Sequence, residues 1–298
     1  NRSAGAAMEA YYRLAGAYFG RDQIDRSLED VRRSIQDYRK AKETGLSIPG
    51  DEAKLLAQEA ELADRRVQVE GAIREADSRL CQLLGLEHDP SQPLWPGAEM
   101  TVALAPIDVE AAVAEGLRMR PDLAELIVLR DNLHEQTLGA VRSALARLDP
   151  LMGSSGPQKH MTCLGSNRAR ICLETQARQS QLDQLWQIQV RAAEDDIRRA
   201  VGEVEMRLRR VGLAKDKLDQ VQTLLRRLRE RREAKGAVQV SEISTAQSDV
   251  FRAESDAFQA VVEWKIAMVK LRQSQGLLAA ECGYALTDPG QSTAEDSP

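Results

Sequence analysis

Between residues 243 and 271 apolar or small side chains return in steps of three and four: Ile243, Ala246, Val250, Ala253, Ala257, Ala260, Trp264, Ala267 and Leu271. Steady alternation of those steps is a repeat of about 3.5 residues, the seam of a coiled coil. A second stripe precedes it at Val201, Val204, Leu208, Val211, Ala214, Leu218, Val221, Leu225 and Leu228. A tight break over 236–242 separates the two. The pattern predicts two long helices folded into an antiparallel hairpin, with one narrow apolar stripe on each arm. Alanine along the seam lets the arms approach closely. Aromatic residues make up only 4% of the chain, and that shortage favours long helices over a β-sandwich or an α/β enzyme.

The first third of the chain carries the same plan. Leu14, Ala17, Ile24, Leu28, Val31, Ile35 and Tyr38 share one helical stripe, interrupted at Arg21 and thickened at one end by Tyr11, Tyr12, Tyr18 and Phe19. The run Gly45-Leu46-Ser47-Ile48-Pro49-Gly50-Asp51 then stops the helix. A return helix over 52–84 places Leu62, Val69, Ile73, Ala76, Leu80 and Leu83 on one face. Both breaks have a basic approach, a glycine, an acidic residue and then an Ala-Gln pair, at Ala57-Gln58 and Ala246-Gln247. Both return helices end in Gly-Leu, at Gly85-Leu86 and Gly276-Leu277, and Gly45 and Gly236 are separated by the same 191 residues as Gly85 and Gly276. The sequence therefore reads as an internal duplication of a helical hairpin.

The expected organisation is a first hairpin at 1–86, a linker with a short helix at 87–119, a second repeat at 120–282 and a disordered tail at 283–298. In the linker, Pro90, Pro93, Pro96 and Pro106 exclude a helix through most positions, and 100–104 reads as a short strand. Asp108 is placed to cap a short helix ending near Met119. Pro121 and Asp122 open the next one, which the pattern carries to about Leu148. A loop-like stretch over 149–167 and a weak strand at 170–173 follow. From about Ala177 to Lys235 the helical pattern is unbroken, and 59 residues of helix would span roughly 90 Å.

With 41 basic and 46 acidic residues, the chain offers no nucleic-acid argument. The basic run at 226–232 reads as a solvated helix face or, alternatively, as a contact for an anionic partner. Cys81, Cys163, Cys172 and Cys282 show no CxxC spacing, and His88, His134 and His160 are scattered, so spacing alone indicates no metal site. Cys163 and Cys172 are either a bridged pair or two free thiols. No apolar run approaches the ~20 residues of a transmembrane helix, and no signal peptide is visible. The chain begins at Asn1 rather than Met, so a processed or truncated product is expected. His134 with Glu135 on the predicted helix, and the Glu194, Asp195 and Asp196 cluster, form no recognisable acid–base constellation. The expectation is a non-enzyme without a cofactor.

Several words in this sequence resemble the TolC-like outer-membrane efflux factors. They are Arg120-Pro121-Asp122-Leu123 at a helix start, Ala10-Tyr11-Tyr12-Arg13-Leu14 on the first long helix, the two break words, and Leu271 to Gly276 at the end of the last long helix. The resemblance covers about residues 7–280 and implies an N-terminally truncated or divergent relative. It implies an all-α body of long antiparallel coiled-coil hairpins, internally duplicated, with at most a short residual β-hairpin in a degenerate barrel loop at 148–173. It further implies a homotrimeric passive tunnel, mostly periplasmic and anchored in the outer membrane. Such a duct serves a tripartite efflux pump or a type I secretion system, with a periplasmic adaptor and an inner-membrane transporter as partners. By position, the adaptor-binding hairpin tips would be Gly45, Leu46, Ser47 and Asp51 in the first hairpin and Gly236, Val240, Ser241 and Glu242 in the second. The same residues also suit plain helix capping. The competing reading is a soluble coiled-coil scaffold without a pore.

Overall fold

The computed structural model describes residues 1–43, 52–97, 100–102, 105–148, 167–235 and 240–283. Among these residues the chain forms helices and no strand: α1 (Arg2–Glu43), α2 (Glu52–Leu84), α3 (Val109–Met119), α4 (Pro121–Asp131), α5 (Leu138–Leu148), α6 (Asn167–Lys235), α7 (Val240–Gln275) and α8 (Leu278–Glu281). The all-α expectation is met. By its contacts the chain divides into two units, Asn1–Ile107 with Gly202–Gln273, and Asp108–Val201 with Ser274–Pro298.

In the first unit the apolar stripes are the packing surfaces. On α6, Val204, Leu208, Val211, Ala214, Leu218, Val221, Leu225 and Leu228 are each buried or half-buried, while most residues between them are exposed. Leu225 packs with Ile243, Ala246 and Val250 of α7, flanked by Leu218, Val221 and Leu228. Along α7 all nine seam positions from Ile243 to Leu271 are buried or half-buried. A second line on α7, Val262 and Val269, is buried too, and Val262 lies against Gly16 of α1. Phe258 of α7 stacks on Phe19 of α1 with ring centroids 3.7 Å apart. Charge crosses the same arms. Glu263 accepts from Arg207 and, at 3.0 Å, from Arg210, and Lys217 meets Asp256 at 2.8 Å.

The first hairpin packs α1 on α2. Its core is Ala10, Leu14, Tyr18, Ile73 and Leu80, with Val69, Ala76 and Leu83 beside it. The two Ala-Gln words meet in space, because Gln58 donates from Nε2 to the hydroxyl of Ser248, the neighbour of Gln247, at 2.6 Å. A groove of about 420 Å³ between α1, α2 and α7 is lined by Gln23, Ser27, Gln58 and Ser248, among others. Gln23 is 6% exposed and its Oε1 has no hydrogen-bond partner.

Three expectations change, two of them in the second unit and one in the linker before it. The helix from Pro121 does not run unbroken to Leu148. It stops at Asp131, and α5 starts at Leu138. The break is a side-chain-bonded turn: Asn132 Nδ2 donates to Val128 O at 2.9 Å, and the Thr137 hydroxyl bonds the backbone of Asn132 and His134. Such short polar side chains compete with the helix for its own backbone groups. His134 and Glu135 therefore sit in a turn, exposed, and not on a helix. Residues 170–173 are helical, because α6 begins ten residues earlier than the periodicity indicates. Glu174 anchors that early turn, accepting two hydrogen bonds from Arg142 of α5 at 2.6 and 2.5 Å. The third change is in the linker: 100–102 is not a strand, and 103–104 lies outside the described residues. The core of the second unit is Leu126, Val141, Leu145, Leu182 and Leu185. Of the supposed barrel loop, 149–166 lies outside the described residues, as do Cys163 and hence the question of its pairing with Cys172.

Candidate functional site

Of the eight expected tip residues, Gly45, Leu46, Ser47, Asp51 and Gly236 lie outside the described residues. Val240 and Ser241 open α7, and Glu242 stands exposed in its first turn. There its carboxylate faces the positive end of the helix dipole, so a capping role suffices to explain it. At the first hairpin, Arg39 near the end of α1 donates to Glu52 at the start of α2 at 2.8 Å. Arg226, Arg227, Arg229 and Arg231 of the basic run are exposed, as a solvated face requires.

The Arg120-Pro121-Asp122-Leu123 word has a clear geometric task. Arg120 separates α3 from α4, with its backbone N–H bonded to Gly116 O. Its guanidinium donates to both carboxylate oxygens of Asp122, at 3.0 and 2.6 Å, and to Ser274 O at 3.2 Å. Burial works against ionisation of Asp122, but the Arg120 hydrogen bonds and charge outweigh it and hold that carboxyl below its usual value. Gln275 is 2% exposed and donates to Ala112 O at 3.0 Å. Gly276 follows at φ +81°, and a Cβ there would lie 2.9 Å from Met119 O and 3.0 Å from Arg120 Cα. The word thus clamps the end of α7 against the α3–α4 corner. Only glycine combines the left-handed backbone with that close approach.

The other duplicated glycine ends α2. Gly85 has φ +67°, and Leu86 N–H bonds Cys81 O at 2.9 Å, the six-to-one bond of a Schellman cap. The chain then turns at Asp89, whose Oδ1 accepts from Ser91 N at 2.8 Å and Ser91 Oγ at 2.6 Å. The proline-rich strip that follows runs back over α2. Leu94 N donates to Asp77 Oδ1 at 2.9 Å, and Trp95 lies on Tyr18 with centroids 4.7 Å apart. This fold-back brings His88 Nδ1 to 3.3 Å from Asp77 Oδ2. Asp77 and Cys81 are one turn apart on α2 and both buried, at 2% and 4% exposure. Burial first and the Asp77 carboxylate second push the Cys81 thiol up from its ordinary value. The ligand atoms of Asp77, Cys81 and His88 all lie within 4.8 Å of one another. Sequence spacing missed this trio, since no standard motif joins a helical Asp-x-x-x-Cys to a histidine beyond a glycine cap. The signal was there in part, because residues four apart share a helix face.

No helix among the described residues is long and apolar enough to cross a membrane. The architecture is that of a known class of solved structures, the outer-membrane channels. The outer-membrane channel OprN aligns over 91% of this chain and 65% of its own, with 23% identity and a TM-score of 0.63. The open-state MtrE outer-membrane channel of Neisseria gonorrhoeae aligns over 93% and 67%, with 17% identity and a TM-score of 0.65. The outer-membrane protein VceC of Vibrio cholerae aligns over 91% and 69%, with 14% identity and a TM-score of 0.64. The chain therefore spans about two thirds of the length of the channels whose fold it shares. No protein-family model matches it, and no curated protein sequence does.

Proposed function

We propose that this chain forms the helical duct of an outer-membrane efflux channel, working as a homotrimer. The observation that carries the reading is an apolar line in water. On α6, Met206, Leu213 and Leu224 are 50%, 69% and 51% exposed, and none of them belongs to the seam. Their steps of seven and eleven add up to five turns of about 3.6 residues, so they lie along one edge of the helix. Leu56 and Val67 of α2, at 42% and 65% exposure, repeat the eleven-residue step. Burying one such side chain fully is worth about 1.5–3 kcal/mol. A neighbouring copy laid against these edges would gain that energy and leave polar faces for a wet lumen. Residues 1–86 and 120–282 would then contribute as duplicated repeats.

Energy would come from an inner-membrane transporter, reached through a periplasmic adaptor that meets the tips around Gly45, Leu46, Ser47 and Asp51 and around Gly236, Val240, Ser241 and Glu242. A tripartite pump or a type I secretion system is the setting. Support is the shared channel fold and the position of both chain reversals. Two outcomes are expected. The pair Met206→Glu and Leu213→Glu converts a trimer to a monomer in light scattering while helical content is retained. An unchanged mass removes the lateral interface. Glu242→Lys or Asp51→Lys weakens adaptor binding about tenfold, or ~1.4 kcal/mol, without changing the melting curve. Unaltered adaptor affinity removes the tip assignment.

A further inference from the structure

We propose that Asp77, Cys81 and His88 form a binding site for a borderline divalent transition metal, with zinc as the natural occupant, that staples the segment after α2 to the helix. The donor set is a carboxylate, a thiol and an imidazole. Thiolate and imidazole select zinc-like metals over magnesium or calcium, which prefer all-oxygen shells. The geometry is close to that needed. Zinc bonds of about 2.0–2.3 Å at a tetrahedral angle place ligand atoms roughly 3.3–3.6 Å apart. His88 Nδ1 and Asp77 Oδ2 stand 3.3 Å apart, and the Cys81 sulfur lies within 4.8 Å of both, so a small side-chain rotation closes the set.

The surroundings orient the donors. Asp77 Oδ1 is held by Leu94 N, which leaves Oδ2 free for the metal. Orientation of a ligand by a hydrogen bond to its other atom is the usual support of metal sites. The Gly85 cap and the Asp89–Ser91 turn fix the loop that carries His88. The His88 side chain is 33% exposed, so water can reach the site and complete four-coordination. Binding replaces the thiol proton, which passes to solvent. Without metal, the same groups form a His88–Asp77 side-chain contact at 3.3 Å beside a buried thiol, and that is the competing account.

The test uses the full chain with Cys163→Ser, Cys172→Ser and Cys282→Ser, which removes adventitious thiols. Cobalt(II) is titrated in and then displaced by zinc. The expected result is one saturable cobalt per chain, with a thiolate-to-cobalt charge-transfer band and tetrahedral d–d intensity. Cys81→Ser abolishes the band, and His88→Gln lowers affinity at least about tenfold. Zinc also slows amide exchange over residues 86–97. His88 lies outside the core, so its variant decides the matter even if Cys81→Ser does not fold. No charge-transfer band, a band that survives Cys81→Ser, or affinity unchanged in His88→Gln overturns the proposal and leaves only the His88–Asp77 contact.

Discussion

Proline in place of Ala260 is expected to unfold the second hairpin and abolish assembly. Ala260 is 8% exposed on the α7 seam, one step from Ala257 and one from Trp264. Proline there removes the N–H that bonds the carbonyl of residue 256 and drives its ring into that carbonyl, at a cost of about 3 kcal/mol or more. The damage is not local. A kink at the middle of the seam separates the remaining α7 knobs from α6, so the cluster of Leu225, Ile243, Ala246 and Val250 loses its register. Ala257→Pro acts the same way. Circular dichroism and scattering mass check it. A variant with the parent's helical content and oligomer size would contradict the hairpin account.

Gly276→Ala carries the second large effect. The substitution meets two independent penalties. A non-glycine residue in the left-handed region costs about 1–2 kcal/mol. The new methyl also overlaps backbone, at 2.9 Å from Met119 O and 3.0 Å from Arg120 Cα. Overpacking against atoms that cannot rotate away adds about 1–3 kcal/mol. The expected loss is about 2–5 kcal/mol, and a melting midpoint lower by roughly 3–8 °C for a chain of this length. Gly85→Ala is the internal comparison. It shares the positive φ, but no atom lies within 4 Å of its would-be Cβ, so it pays the backbone term alone. Equal losses at the two glycines would show that the α3–α4 corner does not clamp the end of α7.

The long helices were legible because each buries a narrow stripe for many turns. A run such as Val204 to Leu228 repeats one geometric fact eight times, and no competing fold satisfies it. The ends were legible for a different reason: Gly85 and Gly276 do a job that other residues do badly. The breaks held by side-chain hydrogen bonds were not. Asn132, His134 and Thr137 close a turn through contacts that the apolar pattern does not record. Residues 170–173 read as a strand because three apolar neighbours have no period of their own, and Glu174 with Arg142 decides for helix. The Asp77, Cys81 and His88 trio depends on a fold-back of the proline-rich strip, which local sequence does not encode. The tip residues remain a proposal drawn from position in the hairpins.

The most direct test of the duct is end-on electron microscopy of the purified protein. The account predicts a threefold ring around an open lumen, with its wall built from the α1–α2 and α6–α7 hairpins. Single rods, or a solid bundle without a lumen, would contradict it and leave a helical scaffold in its place.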